Sequence, residues 1–298
     1  MRLFYTTIFT LLLSVTMLNA QSYFNGKFRI EAYDYGDRTF TLYDFSREGT
    51  SATNLKAKYF ATNAYDQYQN WKSGKEILFI TAGAFSDGWD SSAKPVGICV
   101  DNGHIVNRSP KSEMDGMVIV YNGAAQQGGI AVVDMDKKYV NVENPYGSGN
   151  YEQYDPRDNI TDRTKFLNWG EDAGVTLFQT QLVYSEKKTY DENFGNKFYG
   201  AERERRYLAI CIKNGIVHHV VVDVPEAIYL GEGAEDTKVV LEYDGFKVLY
   251  ILNLDTGDKN LMHCYNGSYL QDMKPYKGSN TDAAKIENAT NLLIYYKD

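Results

Sequence analysis

Lys213-Asn214-Gly215 separates two apolar, β-branched runs, residues 207–212 and 216–222, and few folds accommodate that arrangement. Asn-Gly accepts the positive φ angles of a tight hairpin turn, so the two runs are predicted to pair antiparallel. The same punctuation recurs. Asp101-Asn102-Gly103 lies between runs 96–100 and 104–106, Asn122-Gly123 follows run 117–121 with 130–133 beyond it, and Asn266-Gly267 follows 261–265. Nothing alternates strand with helix as parallel βαβ units do, so the chain is predicted to be α+β, a single domain with a mostly antiparallel β-sheet covered by helices.

Further strands follow from the pattern. Residues 27–32 and 40–43 alternate loosely, 77–80 form a continuous apolar run suited to a strand covered on both faces, and 248–252 and 292–296 are similar. Residues 176–184 read as one strand, with Gln179 and Gln181 on the same face. Leu55, Tyr59, Tyr65 and Tyr68 recur near helical spacing, which predicts a helix over 51–71 ended by Ser73-Gly74. Residues 141–158 read as a surface loop, followed by a short helix capped by Asp162 with Phe166 and Trp169 on one side. A last helix is expected over 235–243.

Composition restricts function. Residues 1–20 carry one basic residue, Arg2, then an apolar run and a small-residue site at Leu18-Asn19-Ala20, the form of a signal peptide. Removing it leaves 21–298 as the domain, and no later segment approaches the ~20 apolar residues of a membrane span. A secreted or periplasmic chain is expected. The net charge of −8 becomes −9 when Arg2 is lost, which argues against a nucleic-acid partner. Cys99, Cys211 and Cys264 each sit in apolar runs, the placing of buried free thiols, and three cysteines allow at most one internal disulfide. Asp134 and Asp136 lack the glycine and glutamate of a calcium loop, and adjacent His218 and His219 point to opposite sides of a strand, so no metal and no cofactor are expected. The 25 tyrosines suit sugar-stacking platforms as well as sheet faces.

Three places are candidates for chemistry. Thr81-Ala82-Gly83-Ala84-Phe85 ends the strand at 77–80, and Gly83 there serves either a tight turn or the presentation of backbone N–H groups to a ligand. The polar stretch that prolongs this loop, Asp87-Gly88-Trp89-Asp90, leads to Pro95. Asn253-Leu254-Asp255-Thr256-Gly257 closes the strand at 248–252, either as a plain strand-ending turn or as a mount for a catalytic carboxylate. Arg206 ends the basic run Arg203-Glu204-Arg205-Arg206, and such a run is commonly a solvated face.

Taken together, these residues resemble the phosphodiester glycosidase family, to which the catalytic domain of the mannose 6-phosphate uncovering enzyme belongs. The resemblance covers most of residues 75–270, as a divergent, bacterial-type secreted member. The family's N-x-G-x-F loop corresponds to Thr81, Gly83 and Phe85, with Pro95, Gly97 and the Asn102-Gly103 turn after it. Its glutamine-serine strand corresponds to Gln179-Thr180, its R-x-x-x-G strand to Arg206 with Ile210, and its N-L-D-G-G-x-S turn to Asn253, Leu254, Asp255, Thr256, Gly257 and Lys259. Thr81, Ile210, Thr256 and Lys259 depart from the family's asparagine, glycines and serine.

The resemblance implies hydrolysis at a sugar anomeric carbon that carries a phosphate or phosphodiester leaving group. Asp255 would act as acid, base or nucleophile and Arg206 would hold phosphate, while Thr81, Gly83, Phe85, Gln179, Thr256, Gly257 and Lys259 would contact the carbohydrate substrate. Thr81, Gln179, Arg206 and Asp255 are then expected to line one cleft. The altered positions carry the alternative, a secreted glycan- or phosphoglycan-binding protein without catalysis.

Overall fold

Alternation along the strands sends neighbouring side chains into different cores, and this sorting builds the molecule. The computed structural model describes residues 28–47, 55–88, 93–122, 128–137, 139–143, 151–257, 260–266, 268–273 and 285–298. The chain runs through β1 (Arg29–Tyr35), β2 (Arg38–Ser46), β3 (Lys56–Phe60), α1 (Ala64–Trp71), β4 (Glu76–Thr81), β5 (Cys99–Asp101), β6 (His104–Asn107), β7 (Gly116–Val120), β8 (Ile130–Asp134), β9 (Val140–Glu143) and β10 (Tyr151–Tyr154). It continues through α2 (Ile160–Asp172), β11 (Thr176–Thr180), β12 (Leu182–Ser185), α3 (Tyr190–Phe194), β13 (Arg203–Lys213), β14 (Ile216–Ile228), α4 (Leu230–Tyr243), β15 (Lys247–Leu254), β16 (Met262–Tyr265), β17 (Leu270–Asp272) and β18 (Leu292–Lys297).

Three sheets and a ribbon result, ordered β1-β2-β14-β13-β15-β12, β17-β16-β4-β18-β3, β6-β5-β11-β7-β8 and β9-β10. Every strand pairing is antiparallel, and the fold is α+β. Asn102 and Gly103 have φ of 48° and 77°, Asn214 and Gly215 of 54° and 79°, so both Asn-Gly hairpins use the positive angles that their residues favour.

The inner faces of the three sheets share one core. Leu208 and Ile210 of β13, Phe79 of β4, Val118 of β7 and Phe178 of β11 all enter it. Phe45 stacks on Tyr295 at 3.9 Å between ring centres, joining the first two sheets, and Tyr59 stacks on Phe178 at 4.3 Å, joining the second and third. Helices then cover the outer faces, with Phe194 of α3 joining α4 on the first sheet. Tyr207, Ala209 and Cys211 alternate out to meet Ala234, Val240 and Leu241 of α4. Val100, Ile119 and Leu177 meet Phe166 and Trp169 of α2, and Phe60, Ile80 and Ile294 meet Tyr68 of α1. Burial of each large apolar side chain contributes roughly 1.5–3 kcal/mol, so shared inner and outer cores fix the register of every central strand.

Four expectations need correction. The helix expected over 51–71 begins only at Ala64, and β3 occupies 56–60. Ala57 and Tyr59 enter the inner core while Phe60 faces α1, a period of two that pairing with β18 enforces over the alanine-rich composition. Its first part, 51–54, lies outside the described residues. The strand expected over 176–184 divides at Gln181, because β11 belongs to the third sheet and β12 to the first. Within 141–158, β9 and β10 pair as a ribbon that packs Val140, Val142 and Tyr154 against α2. Asn159, not Asp162, caps α2, accepting from the backbone N–H of Thr161 at 2.9 Å and Asp162 at 3.1 Å. Cys99, Cys211 and Cys264 are buried free thiols. Among the described residues no helix is long and apolar enough to cross a membrane; residues 1–20 lie outside them.

Candidate functional site

Arg206 lies near the start of β13 on the same face as Leu208, and that parity carries its side chain inward, between the first and second sheets. It is fully buried. Its Nε and Nη2 donate to Asp223 Oδ1 at 3.1 and 3.0 Å, Nη1 to Thr81 Oγ1 at 2.9 Å and Leu261 O at 3.0 Å, and Nη2 to Asn260 Oδ1 at 2.6 Å. These five bonds engage all five guanidinium donors. A buried ion pair with every hydrogen bond made is strongly destabilised by loss of either partner. Tyr43 stands beside this cluster, its phenol pushed well above the ordinary range by burial and then by the Asp223 carboxylate.

The cluster gathers strand ends. Thr81 closes β4, Asp223 is the last residue of β14 to pair with β2, and Arg206 pairs with Leu254, the last residue of β15. Asp255 therefore follows directly on the residue facing Arg206. It is half-buried, its N–H donates to Gly83 O at 3.1 Å, and its Oδ1 accepts from Gly257 N at 2.9 Å, closing the turn. Thr256 Oγ1 donates to Glu204 O at 2.8 Å, and Asn260 Nδ2 donates to the Glu204 carboxylate. Glu204 sits where the β13 to β14 register shifts between Arg203 and Arg205, out of the regular ladder.

Gly83 and Phe85 stand in the loop after β4. The N–H groups of Gly83 and Ala84 both donate to Asn291 Oδ1, at 2.8 and 3.0 Å, while Asn291 Nδ2 donates to Ala84 O at 2.8 Å. Those donors are engaged inside the fold. Glycine is required there by close approach, since a Cβ would stand 2.7 Å from the Tyr59 ring. Phe85 is half-buried, and its carbonyl accepts from Val96 N at 2.7 Å.

Gln179 faces elsewhere. Its Oε1 accepts from the N–H of Ile98 and Lys111, each at 3.0 Å, and its Nε2 donates to the carbonyls of Lys111 and Met114, so it pins segment 98–114 to β11. Only its neighbour reaches the cluster, Thr180 Oγ1 donating to Asn253 O. The structure thus brings Thr81, Gly83, Arg206, Asp255 and Thr256 to one end of two sheets and leaves the Gln179 side chain outside. Lys259 lies outside the described residues, as do Trp89 and Asp90.

Four further residues complete this end and escaped the sequence reading: Glu204, Asp223, Asn260 and Asn291. The position of Glu204 beside the candidate Arg206 was a usable signal. Among the described residues no group of three or more His, Cys, Asp or Glu side chains forms a metal site.

No protein-family model and no curated protein sequence matches this chain. Among solved structures, the chain is similar to the zebrafish N-acetylglucosamine-1-phosphodiester α-N-acetylglucosaminidase catalytic domain auto-inhibited by its pro-peptide, at 11% identity and a TM-score of 0.49, over 91% of this chain and 82% of that one. It is also similar to a Burkholderia pseudomallei protein inferred to be exported, at 11% identity and a TM-score of 0.40, over 89% and 74%.

Proposed function

We propose that this chain is a secreted or periplasmic hydrolase that cleaves the bond between a sugar anomeric carbon and a phosphate or phosphodiester leaving group. The observation that carries the reading is the convergence at Arg206, which ties the ends of β4, β13 and β14 to Asn260 and so sets the Asp255 turn beside Glu204. Two carboxylates on adjoining strand ends are what glycoside cleavage uses, one as acid and the other as base or nucleophile. Asp255 takes the first part and Glu204 the second. Arg206 positions the site through its internal bonds, and contact with a phosphate oxygen requires exchange of Asn260 or the Leu261 carbonyl. Thr81, Gly83, Phe85, Thr256 and Gly257 form the surround. No cofactor takes part.

The test is release of free sugar from a panel of sugar 1-phosphodiesters by residues 21–298, compared with Asp255→Asn and Glu204→Gln. Loss of about 10²–10⁴ in rate is expected for each, the range of a positioned acid or base. Full activity in either variant removes that residue from its role.

One observation favours a second reading, a glycan- or phosphoglycan-binding protein that does not cleave. The Arg206 guanidinium and the Gly83 and Ala84 N–H groups are all engaged internally, so none of these donors is preset for a leaving phosphate. Binding across the panel with no sugar released selects this reading, and turnover excludes it.

A further inference from the structure

Another concave site lies where β12 meets the turn after α3, joined through Gln181 to Asn253, two residues before Asp255. It is a pocket of ≈ 200 Å³ whose lining includes Glu113, Asp115, Gln181, Asn196, Tyr199 and Leu230. That is less than the roughly 300–1,000 Å³ of pockets for drug-sized ligands and matches a single sugar ring. We propose that this pocket binds one residue of a neutral saccharide, with Tyr199 as the stacking face and the Gln181 and Asn196 amides as hydroxyl partners.

The wall is built to hold its shape. Tyr199 N donates to Asn196 O at 3.0 Å and Lys197 N to Phe194 O at 3.1 Å, and Glu232 N donates to Lys197 O at 3.1 Å, which ties the turn to the start of α4. The two approach so closely that a Cβ on Gly231 would stand 2.6 Å from Lys197 Cα. Lys197 is held by Glu235 at 2.8 Å. Tyr199 nevertheless leaves 69% of its surface in solvent, whereas its neighbour Phe198 packs edge-on against Tyr229 and Tyr190 against Phe194, so Tyr199 is the ring at the pocket left open to a ligand.

The polar lining selects the ligand class. Gln181 Oε1 accepts from Asn253 Nδ2 at 2.8 Å, but its own amide N–H groups have no partner among the described residues, and neither does the Asn196 amide. Amide groups and a carboxylate supply donors and acceptors for hydroxyls, while ring C–H faces pack on tyrosine. Glu113 and Asp115 oppose an anion, and Asp115 is already held by Lys188 at 3.0 Å, so a neutral ligand is the better match. This site stands whether or not Asp255 is catalytic.

Isothermal titration of residues 21–298 with chitotriose, maltotriose, cellotriose, mannotriose and galactotriose tests it. At least one is expected to bind with Kd of about 0.1–1 mM, weakened about tenfold by Tyr199→Ala and by Asn196→Ala. Tyr199→Phe, which keeps the ring, retains binding. Unchanged thermal midpoints show that the variants fold. No binding by any of these sugars up to about 10 mM, or full binding in the Tyr199→Ala/Asn196→Ala double variant, overturns the proposal.

Discussion

Arg206 and Lys58 are buried cations on different sheets, and their partners differ. Arg206 on β13 meets the carboxylate of Asp223 and three neutral oxygens. Lys58 on β3 meets amide oxygens, those of Asn102 and of Asn122 at 2.9 Å, and the Phe60 ring 5.3 Å away, and no carboxylate bonds it among the described residues. Asp101 is close, but its Oδ2 already accepts from Ala61 N at 3.0 Å and Gln67 Nε2 at 2.8 Å, and its Oδ1 from Asn102 Nδ2 at 2.9 Å. Burial therefore outweighs Asp101 and pushes the Lys58 ammonium down to about 8. Lys188 makes the opposite point, since burial there is outweighed by Asp136, Asp115 and Asp134, and its ammonium is raised. A buried charge stays where a carboxylate is aimed at it and is poised to leave where only dipoles are.

The largest test of this contrast is Arg206→Met. Removing the guanidinium from the buried Asp223 carboxylate is expected to lower unfolding stability by about 3–5 kcal/mol in urea titrations, and a loss below about 1 kcal/mol would break the comparison. Next comes the alkaline behaviour of the unaltered chain. The folded Lys58 titrates near 8 and an unfolded lysine near 10.4, so between those values the unfolded state holds more protons. The Lys58 contribution to stability should rise with pH through that window, by up to about 3 kcal/mol, and then level off; it is read as the difference between the unaltered chain and Lys58→Met, because the buried thiols of Cys99, Cys211 and Cys264, raised by burial, act in the opposite direction. At pH 7, Lys58→Met should cost about 1–2 kcal/mol, from two amide oxygens left with fewer donors, and should abolish the alkaline rise. The smallest effect sharpens the point: Asn122→Asp places a carboxylate on the Lys58 ammonium without setting it against Asp101, and should flatten the same rise.

How far the sequence could be read follows the same physics. Strand pairs around Asn102-Gly103 and Asn214-Gly215 were legible because turn chemistry and alternation lie within a few residues of each other. β3 was not, because Lys56 and Lys58 look like solvent positions and become strand residues only when β18 and a polar network cover them. The division at Gln181 was invisible too, since β11 and β12 each alternate correctly and only their partners differ. At the candidate site, Arg206 and Asp255 could be singled out, yet Asp223, Asn260 and Asn291 act across long stretches of chain with no local signature. Glu204 was hidden in a basic run that is half interior: Arg205 and Arg206 are buried, whereas Arg203 is exposed.

The place of β18 has a consequence for how the molecule comes into being. It follows all the other described strands in the sequence, yet it lies between β4 and β3, with Leu293 beside both Thr81 and Tyr59. Strands synthesised early must wait for the final one before their edges are satisfied, and such distant pairing makes folding slow. Until β18 is in place the facing edges of β3 and β4 carry unpaired backbone groups, so residues 292–297 close the second sheet from within rather than extend it at an edge.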